Sequence, residues 1–535
     1  MVAETMQELL AQRAEQDGPA VLHRVADGEQ LRWTWREYVD RASRHAAALL
    51  ARADTARPVH VGALLGNTPA MLTALAGAAL GGYVLCGVNS TRRGSALVGD
   101  LRTADAQILL VDAEHRELLA GLDLAGITVI DVDDPAWAQA CADAGELTPH
   151  RRATAMDPFV MIFTSGTSGD PKAVLVNHFM VLVAGQNLTE RFGLGPDDVA
   201  YLSMPLFHSN AIVAGFAPAV ASGAAMALAK FSASRFLSDI RCYGATYMNY
   251  VGKPLAYVLA HPEQSDDADN TLRVAFGNEG SDRDIAEFAR RFGAQVVDAF
   301  GSTENAVIIT REDGTPPGSV GRGLPGVAVY RSDPLGECPR ARFDEHGALA
   351  NADEAIGELV NTTGAGFFSG YYNNESATAE RLRHGMYWSG DLGYADADGW
   401  IYLAGRTADW MRVDGENLAA APIERILMRH NDISHVAVYA VPDDQVGDQV
   451  MAALVLRDGA QLSPTGFVDF LAAQEDLSPK AWPRYVRLTA QLPMTATNKI
   501  LKRTLVAQGT DVGADTVWVR PGRERSYSTT TGATP

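Results

Sequence analysis

The stretch Thr164-Ser165-Gly166-Thr167-Ser168-Gly169-Asp170-Pro171-Lys172 carries the reading of this chain, because glycines and hydroxyl residues crowd together before one lysine. That makes a donor-rich loop. With no side chain at Gly166 and Gly169 the backbone can approach an anion closely, while the threonine and serine hydroxyls and the Lys172 ammonium donate to it, as a polyphosphate requires. The flanks set its place in the fold. Phe159–Phe163 before it and Ala173–Val176 after it are apolar runs of strand length, so the loop is predicted to join two strands. It is not a Walker A loop, which needs four residues between its glycines and a Gly-Lys-Ser/Thr ending that opens a helix; here Lys172 follows Asp170-Pro171. Taken alone, such a cluster reads equally well as a polar hairpin without a ligand.

Working outward, the pattern is α/β. Thr34-Trp35-Arg36-Glu37 has the form of a capping box opening a helix with an apolar stripe at Tyr38, Val39, Ala42, Ala46, Leu49 and Leu50. Val59–Leu65, Ala106–Val111 and Ile127–Ile130 read as buried strands separated by helical stretches. Two uncharged runs, 70–88 and 211–229, are long enough to raise a membrane span, but glycines at Gly81-Gly82 and Gly223 break each one. A buried helix, a glycine turn and a strand are predicted for both. Near Leu403–Thr407 the pattern restarts: Ala420–Arg429 is helical, His435–Val441 and Val450–Leu456 are strand-like, and Phe467–Ala473 is helical. The expected division is 1–405, a small α+β domain over 406–519, and a frayed polar tail over 520–535. At 535 residues the chain is long enough for three or four compact units.

Composition narrows the function classes. A formal net charge of −20 disfavours nucleic acid as a partner, since a phosphate backbone would be repelled. Hydrophobic residues at 47% with 21% charged residues fit a globular protein. Cys86, Cys141, Cys242 and Cys338 lie far apart, forming neither a metal-binding pair nor a disulfide framework, and the first residues lack a secretory pattern, so a cytoplasmic setting is expected. Gly321-Arg322-Gly323-Leu324-Pro325-Gly326 nominally matches GxGxxG, but Pro325 and the strand-like Val327–Tyr330 replace the helix that should receive a pyrophosphate. A structural turn is predicted there. No HExxH, EF-hand loop or recognisable Ser-His-Asp order is present.

Three more strings complete the pattern. Ala299-Phe300-Gly301-Ser302-Thr303-Glu304 follows the strand-like Gln295–Val297, placing a hydroxyl and a carboxylate at a strand's C-terminal end, where α/β proteins bind ligands. Tyr387–Gly393 holds Asp391 beside a glycine, a position that a turn alone would also explain. Thr495-Ala496-Thr497-Asn498-Lys499-Ile500 presents one lysine close to the C-terminus.

With the loop, these strings resemble the adenylate-forming enzymes: acyl-CoA synthetases, aryl-CoA ligases, luciferase and peptide-synthetase adenylation domains. The resemblance implies a large multi-subdomain N-terminal domain and a small mobile cap, binding ATP with Thr164, Ser165, Gly166, Thr167, Ser168, Gly169 and Lys172. It places Gly277, Asn278, Glu279, Phe300, Gly301 and Ser302 beside the nucleotide, and Asp391 and Arg406 on its ribose. Glu304 would hold Mg²⁺, a hard cation suited to a carboxylate and phosphate oxygens. Thr303 would act with Glu304, and Lys499 would span the substrate carboxylate and the α-phosphate. Phe300, Ala173 and Asn498 stand where the family usually has Tyr, Gly and Gly. Ala408 would be the hinge, where most relatives carry Asp or Lys.

Asn249-Tyr250-Val251-Gly252, Val274–Gly280 and Arg412–Asn417 are similar to segments of the very-long-chain acyl-CoA synthetases, also called fatty-acid transport proteins. A hydrophobic acid follows, a long-chain fatty acid or a steroid side-chain acid, in a pocket gated by His208 and bordered by Asn249 and Gly252. The implied chemistry joins that acid to AMP and then to coenzyme A. An acyl-AMP ligase serving a carrier protein and a catalytically impaired binding paralogue are the alternatives. The first usually carries an insertion before the cap, and 385–404 shows no obvious one. The resemblance also admits peripheral contact with the inner membrane surface and a homo-oligomer.

Overall fold

A computed structural model describes residues 3–24, 29–164, 171–345, 347, 349–406, 410–413, 416–443, 447–474, 476–494, 500–522 and 524–530. Two compact units emerge, one of 1–306 with 365–382, the other of 307–364 with 383–535. Two is fewer than length suggested, because each unit gathers two sheets instead of isolating each one. The chain therefore returns to the first unit at 365 and leaves it again after 382.

In the first unit, one sheet orders its strands as Gln295–Phe300, Val274–Asn278, Tyr247–Val251, Val199–Leu202, Ala225–Leu228, Pro19–Arg24 and Gln30–Thr34. All neighbours are parallel except the last pair. Its core packs Phe236, Phe288, Phe292, Tyr201 and Tyr250 against small residues such as Ala225, Ala227 and Ala275. A six-stranded sheet runs Thr128–Asp131, Ile108–Val111, His60–Leu64, Val84–Gly87, Pro158–Thr164 and Lys172–Asn177, parallel until the closing hairpin. The strands expected at 59–65, 106–111 and 127–130 are all there.

Local signals act as read. The Thr34 side chain caps Trp35–Leu50 by accepting from Glu37 N, and Glu37 reaches back to the Thr34 amide, a reciprocal capping box. Pro69–Gly81 ends at Gly82 in the left-handed region, where a Cβ would stand 2.1 Å from the Arg151 carbonyl oxygen. The run at 211–229 folds as a π-helical turn over Ile212–Phe216, a helix to Ser222, Gly223 at φ 81° and the strand Ala225–Leu228. No helix among the described residues is long and apolar enough to cross a membrane.

In the second unit, Leu335–Glu337, Val327–Ser332, Gly357–Asn361 and Met386–Ala395 form one sheet, to which Ile401–Arg406 pairs antiparallel. The GxGxxG string runs into the strand Val327–Ser332 and opens no helix, as its proline predicted. A second sheet orders Glu416–Ala419, Trp410–Val413, Gly447–Leu456, Tyr485–Leu488, Thr516–Val519 and Ser528–Thr530, with Ile433–Asp443 also on Gly447–Leu456. The frayed tail needs correction over 520–530. Ser528–Thr530 pairs with Val517–Val519, the buried Tyr527 donates to the Pro483 carbonyl, and Phe467 packs on its ring within a core that also holds Trp518. Aromatic burial at Tyr527 outweighs the polar composition around it.

Candidate active site

The strands that flank the loop pair antiparallel. Thr164 and Lys172 are partners in the final register pair of the two strands, so the turn between them starts and ends at adjacent points. Ser165, Gly166, Thr167, Ser168 and Gly169 lie outside the described residues, as do Ala408 and Lys499. Lys172 is described and is only 8% exposed. Burying an ammonium is costly unless it is compensated. Its Nζ lies 5.1 Å from the centroid of the Tyr371 ring and 3.9 Å from a Glu380 carboxylate oxygen.

Glu304 arrives from the other sheet. Gln295–Phe300 ends, the chain turns with the Asn305 amide donating to Ser302 O at 3.0 Å, and Asn305 takes φ 53°. Asn tolerates that conformation better than most side chains. The turn leaves Glu304 8% exposed, its Oε1 accepting from the Tyr371 hydroxyl at 2.7 Å. One ring thus touches both the predicted phosphate lysine and the predicted metal carboxylate. Burial, then the neighbouring Glu304 carboxylate, pushes the Tyr371 hydroxyl well above its ordinary range, so it stays a donor. Arg381 Nε reaches the same hydroxyl at 3.4 Å.

Tyr371, Glu380 and Arg381 escaped the sequence reading. Their segment is seated on the lysine's own strand: Leu175 N donates to Gly370 O at 3.1 Å, Tyr372 N to Ala173 O at 2.8 Å, and Asn177 Nδ2 to Ser369 Oγ at 2.8 Å. Asn374 accepts from Ala377 N to start the short helix Glu375–Arg381, whose end delivers Glu380 and Arg381. The sequence signal was Gly370-Tyr371-Tyr372 followed by an Asn cap, a pattern without chemistry until Lys172 lies beside it.

Around Thr303 the other expected groups gather. Its hydroxyl is 3.1 Å from Ser209 Oγ, next to His208, the residue predicted as a gate, whose ring packs 4.8 Å from that of Phe207. Asn210 Nδ2 donates to Tyr250 O and Asn278 Oδ1, both at 3.2 Å, and Asn249 Nδ2 donates to Asn210 Oδ1 at 2.7 Å. This ladder links the ends of Tyr247–Val251 and Val274–Asn278. Asn249 is fully buried, and its Oδ1 has no hydrogen-bond partner among the described residues. Gly277 passes so close to Tyr250 that a Cβ would meet its carbonyl oxygen at 2.2 Å. Glu279 has φ 63° and Gly252 φ 54°, with the Gly252 amide donating to Asn278 O at 2.7 Å. Glycine takes its angle freely, whereas Glu279 is strained, and strain of that kind clusters at functional sites. Phe300 and Ser302 are half-buried and Gly301 is exposed at the neighbouring strand end.

In the second unit, Asp391 and Arg406 are direct register partners across the antiparallel pair Met386–Ala395 and Ile401–Arg406. The two positions expected to share a ribose are therefore neighbours by strand pairing. Asp391 N donates to Ser389 Oγ at 3.0 Å beside Gly390, φ 76°, where the strand's register against Gly357–Asn361 shifts.

No cluster of three or more metal-ligating side chains occurs among the described residues. Glu304 suits a cation that brings its own phosphate oxygens: a single buried carboxylate whose Oε1 is already held by a hydroxyl.

Comparison with known proteins yields one kind of match. Residues 10–372 match the family model described as AMP-binding enzyme, and 422–499 match its C-terminal domain. The medium/long-chain-fatty-acid–CoA ligase FadD17 of Mycobacterium marinum is 50% identical over 92% of this chain and 94% of its own length. Steroid-22-oyl-CoA synthetase of Rhodococcus jostii is 46% identical over 94% of this chain and 91% of its own. Among solved structures, ATP-bound MatB from Rhodopseudomonas palustris has the same fold, with a TM-score of 0.81 at 23% identity over 95% of this chain and 99% of that one.

Proposed function

We infer the reaction from one premise, that this chain belongs to the AMP-binding enzyme family. It is an acyl-CoA ligase, activating a hydrophobic carboxylic acid as an acyl adenylate at the expense of ATP and passing the acyl group to coenzyme A. The observation that carries the assignment of roles is the meeting of Lys172 and Glu304 on Tyr371. A carboxylate attacks the α-phosphorus and pyrophosphate leaves, so the protein supplies position and charge rather than a nucleophile. The Thr164–Lys172 loop holds the departing phosphates, Thr303 orients within hydrogen-bond reach of Ser209, and Asp391 accepts from the ribose hydroxyls with Arg406 in support. Lys499 neutralises the charge developing between acid and α-phosphate. Glu304 would hold Mg²⁺, whose charge would offset that of the phosphate oxygens.

The acid lies toward His208, Asn249 and Gly252. A long-chain fatty acid and a steroid side-chain acid both suit this reading, since the FadD17 and steroid-22-oyl-CoA synthetase names point one to each. Residues 406–519 serve as the cap, turning about Ala408 between adenylation and thioester formation. Peripheral membrane contact is supported by Met156 at 62% and Phe179 at 41% exposure, near the start of one helix. Flotation with liposomes tests it.

ATP–pyrophosphate exchange over fatty, aromatic and steroid carboxylates, followed by mass detection of the thioester, tests the whole reading. Exchange with a hydrophobic acid and formation of its CoA ester are expected. Exchange without thioester would point to a carrier-protein acceptor, and no exchange with any acid would remove the assignment.

A further inference from the structure

We propose that Tyr371 is a positioning residue for adenylation, holding the Glu304 carboxylate with its hydroxyl and the Lys172 ammonium with its ring face. The inference rests on the adenylation reading above. Lys172 and Glu304 carry opposite charges, are each 8% exposed and meet the same aromatic side chain. At low dielectric two such groups attract strongly, and a direct ion pair would withdraw both from a polyphosphate. Among the described residues the ion pair formed by Lys172 is with Glu380, at 3.9 Å, and not with Glu304.

The tyrosine is built to keep them apart. It is 5% exposed, and its backbone is fixed by its bridge to Val174, by Tyr371 N donating to Thr378 Oγ1 at 3.0 Å, and by the neighbouring bonds of Gly370 and Tyr372 to the lysine's strand. Phe368 packs on it edge-on at 5.1 Å. The hydroxyl occupies Glu304 Oε1 and so orients the carboxylate, while the ring offers the ammonium a cation–π surface that does not neutralise it. Both groups then keep their charge for substrate.

Two substitutions separate the roles. Tyr371→Phe retains the ring and removes the hydroxyl; Tyr371→Leu removes both. In the full-length enzyme, ATP–pyrophosphate exchange gives the half-saturating Mg²⁺ concentration, and Mn²⁺ titration with ATP, followed by electron paramagnetic resonance, reads metal binding without turnover. For Tyr371→Phe a roughly tenfold weakening is expected in both, the scale of one hydrogen bond to a buried charge, with the KM for the acid unchanged. Tyr371→Leu should add a rise in the KM for ATP. In a Glu304→Gln background the Phe substitution should have little further effect. Metal readouts within twofold of wild type, or an equal loss in the Glu304→Gln background, would overturn the proposal. If wild-type enzyme exchanges with no acid, the adenylation reading falls, while the Mn²⁺–ATP titration still decides the role of Tyr371.

Discussion

The cluster proposed for phosphate in the first unit and the Asp391–Arg406 pair proposed for ribose in the second are assembled in opposite ways. Tyr371 and Glu304 stand 67 positions apart and meet through two sheets and a returning segment. Asp391 and Arg406 need one antiparallel strand pair. The first arrangement concentrates buried charge, which suits stabilisation of a charged transition state; the second offers a half-buried carboxylate, which suits binding a neutral sugar. On the proposed roles, charge chemistry draws on tertiary structure, while the ribose pair is set by local strand register.

Substitutions can break this contrast. Lys499→Ala should have the largest effect, lowering pyrophosphate exchange by about a hundredfold or more. Near-normal exchange would remove Lys499 from the charge chemistry altogether. Next, Glu304→Gln should lower kcat by roughly tenfold to a hundredfold, and Asp391→Asn should mainly raise the KM for ATP, by about tenfold. Steady-state kinetics in ATP decides it, because movement of the same parameter by both variants would erase the distinction. Ala408→Pro should spare exchange and cut thioester formation at least about tenfold, measured with CoA present and absent; equal losses would argue against a hinge.

The smallest effect concerns stability. His23, His45, His60 and His178 all belong to the first unit, and burial lowers the pKa of each, to about 4 for His45 and His178. A depressed folded-state value means that the stabilising contribution is complete above the unfolded value near 6.5 and fades as pH falls toward 4. By pH 5 His45 and His178 should each forfeit roughly 2 kcal/mol. Hydrogen exchange at pH 7 and pH 5 should show the first unit loosening before the second; the reverse order would mean other groups govern acid sensitivity.

What the sequence could reveal follows the same division. The capping box at Thr34, the glycine stops at Gly82 and Gly223 and the hairpin at Thr164–Lys172 were legible because each depends on residues a few positions apart. So was the pairing of Asp391 with Arg406 in one expected role, given the family's motif. Tyr371 was not, since its string has no chemical meaning until the fold lays Gly370 and Tyr372 against Ala173 and Leu175. Ser209 and Asn210 adjoin the expected gate at His208, but their contacts were hidden similarly: their partners Thr303, Asn249 and Asn278 sit on other strands or loops. Polar composition misled at 520–530, where one aromatic side chain decides the outcome.

The return of 365–382 to the first unit also bears on how such a gene can be cut and recombined. A fragment ending at Ala306 would retain Lys172 and Glu304 but lose the tyrosine that touches both, leaving the outer edge of the strand Lys172–Asn177 uncovered. A chimera with a single junction there would inherit its tyrosine from the other parent. Swaps that carry 1–306 and 365–382 together should yield soluble, ATP-competent hybrids more often than those that separate them.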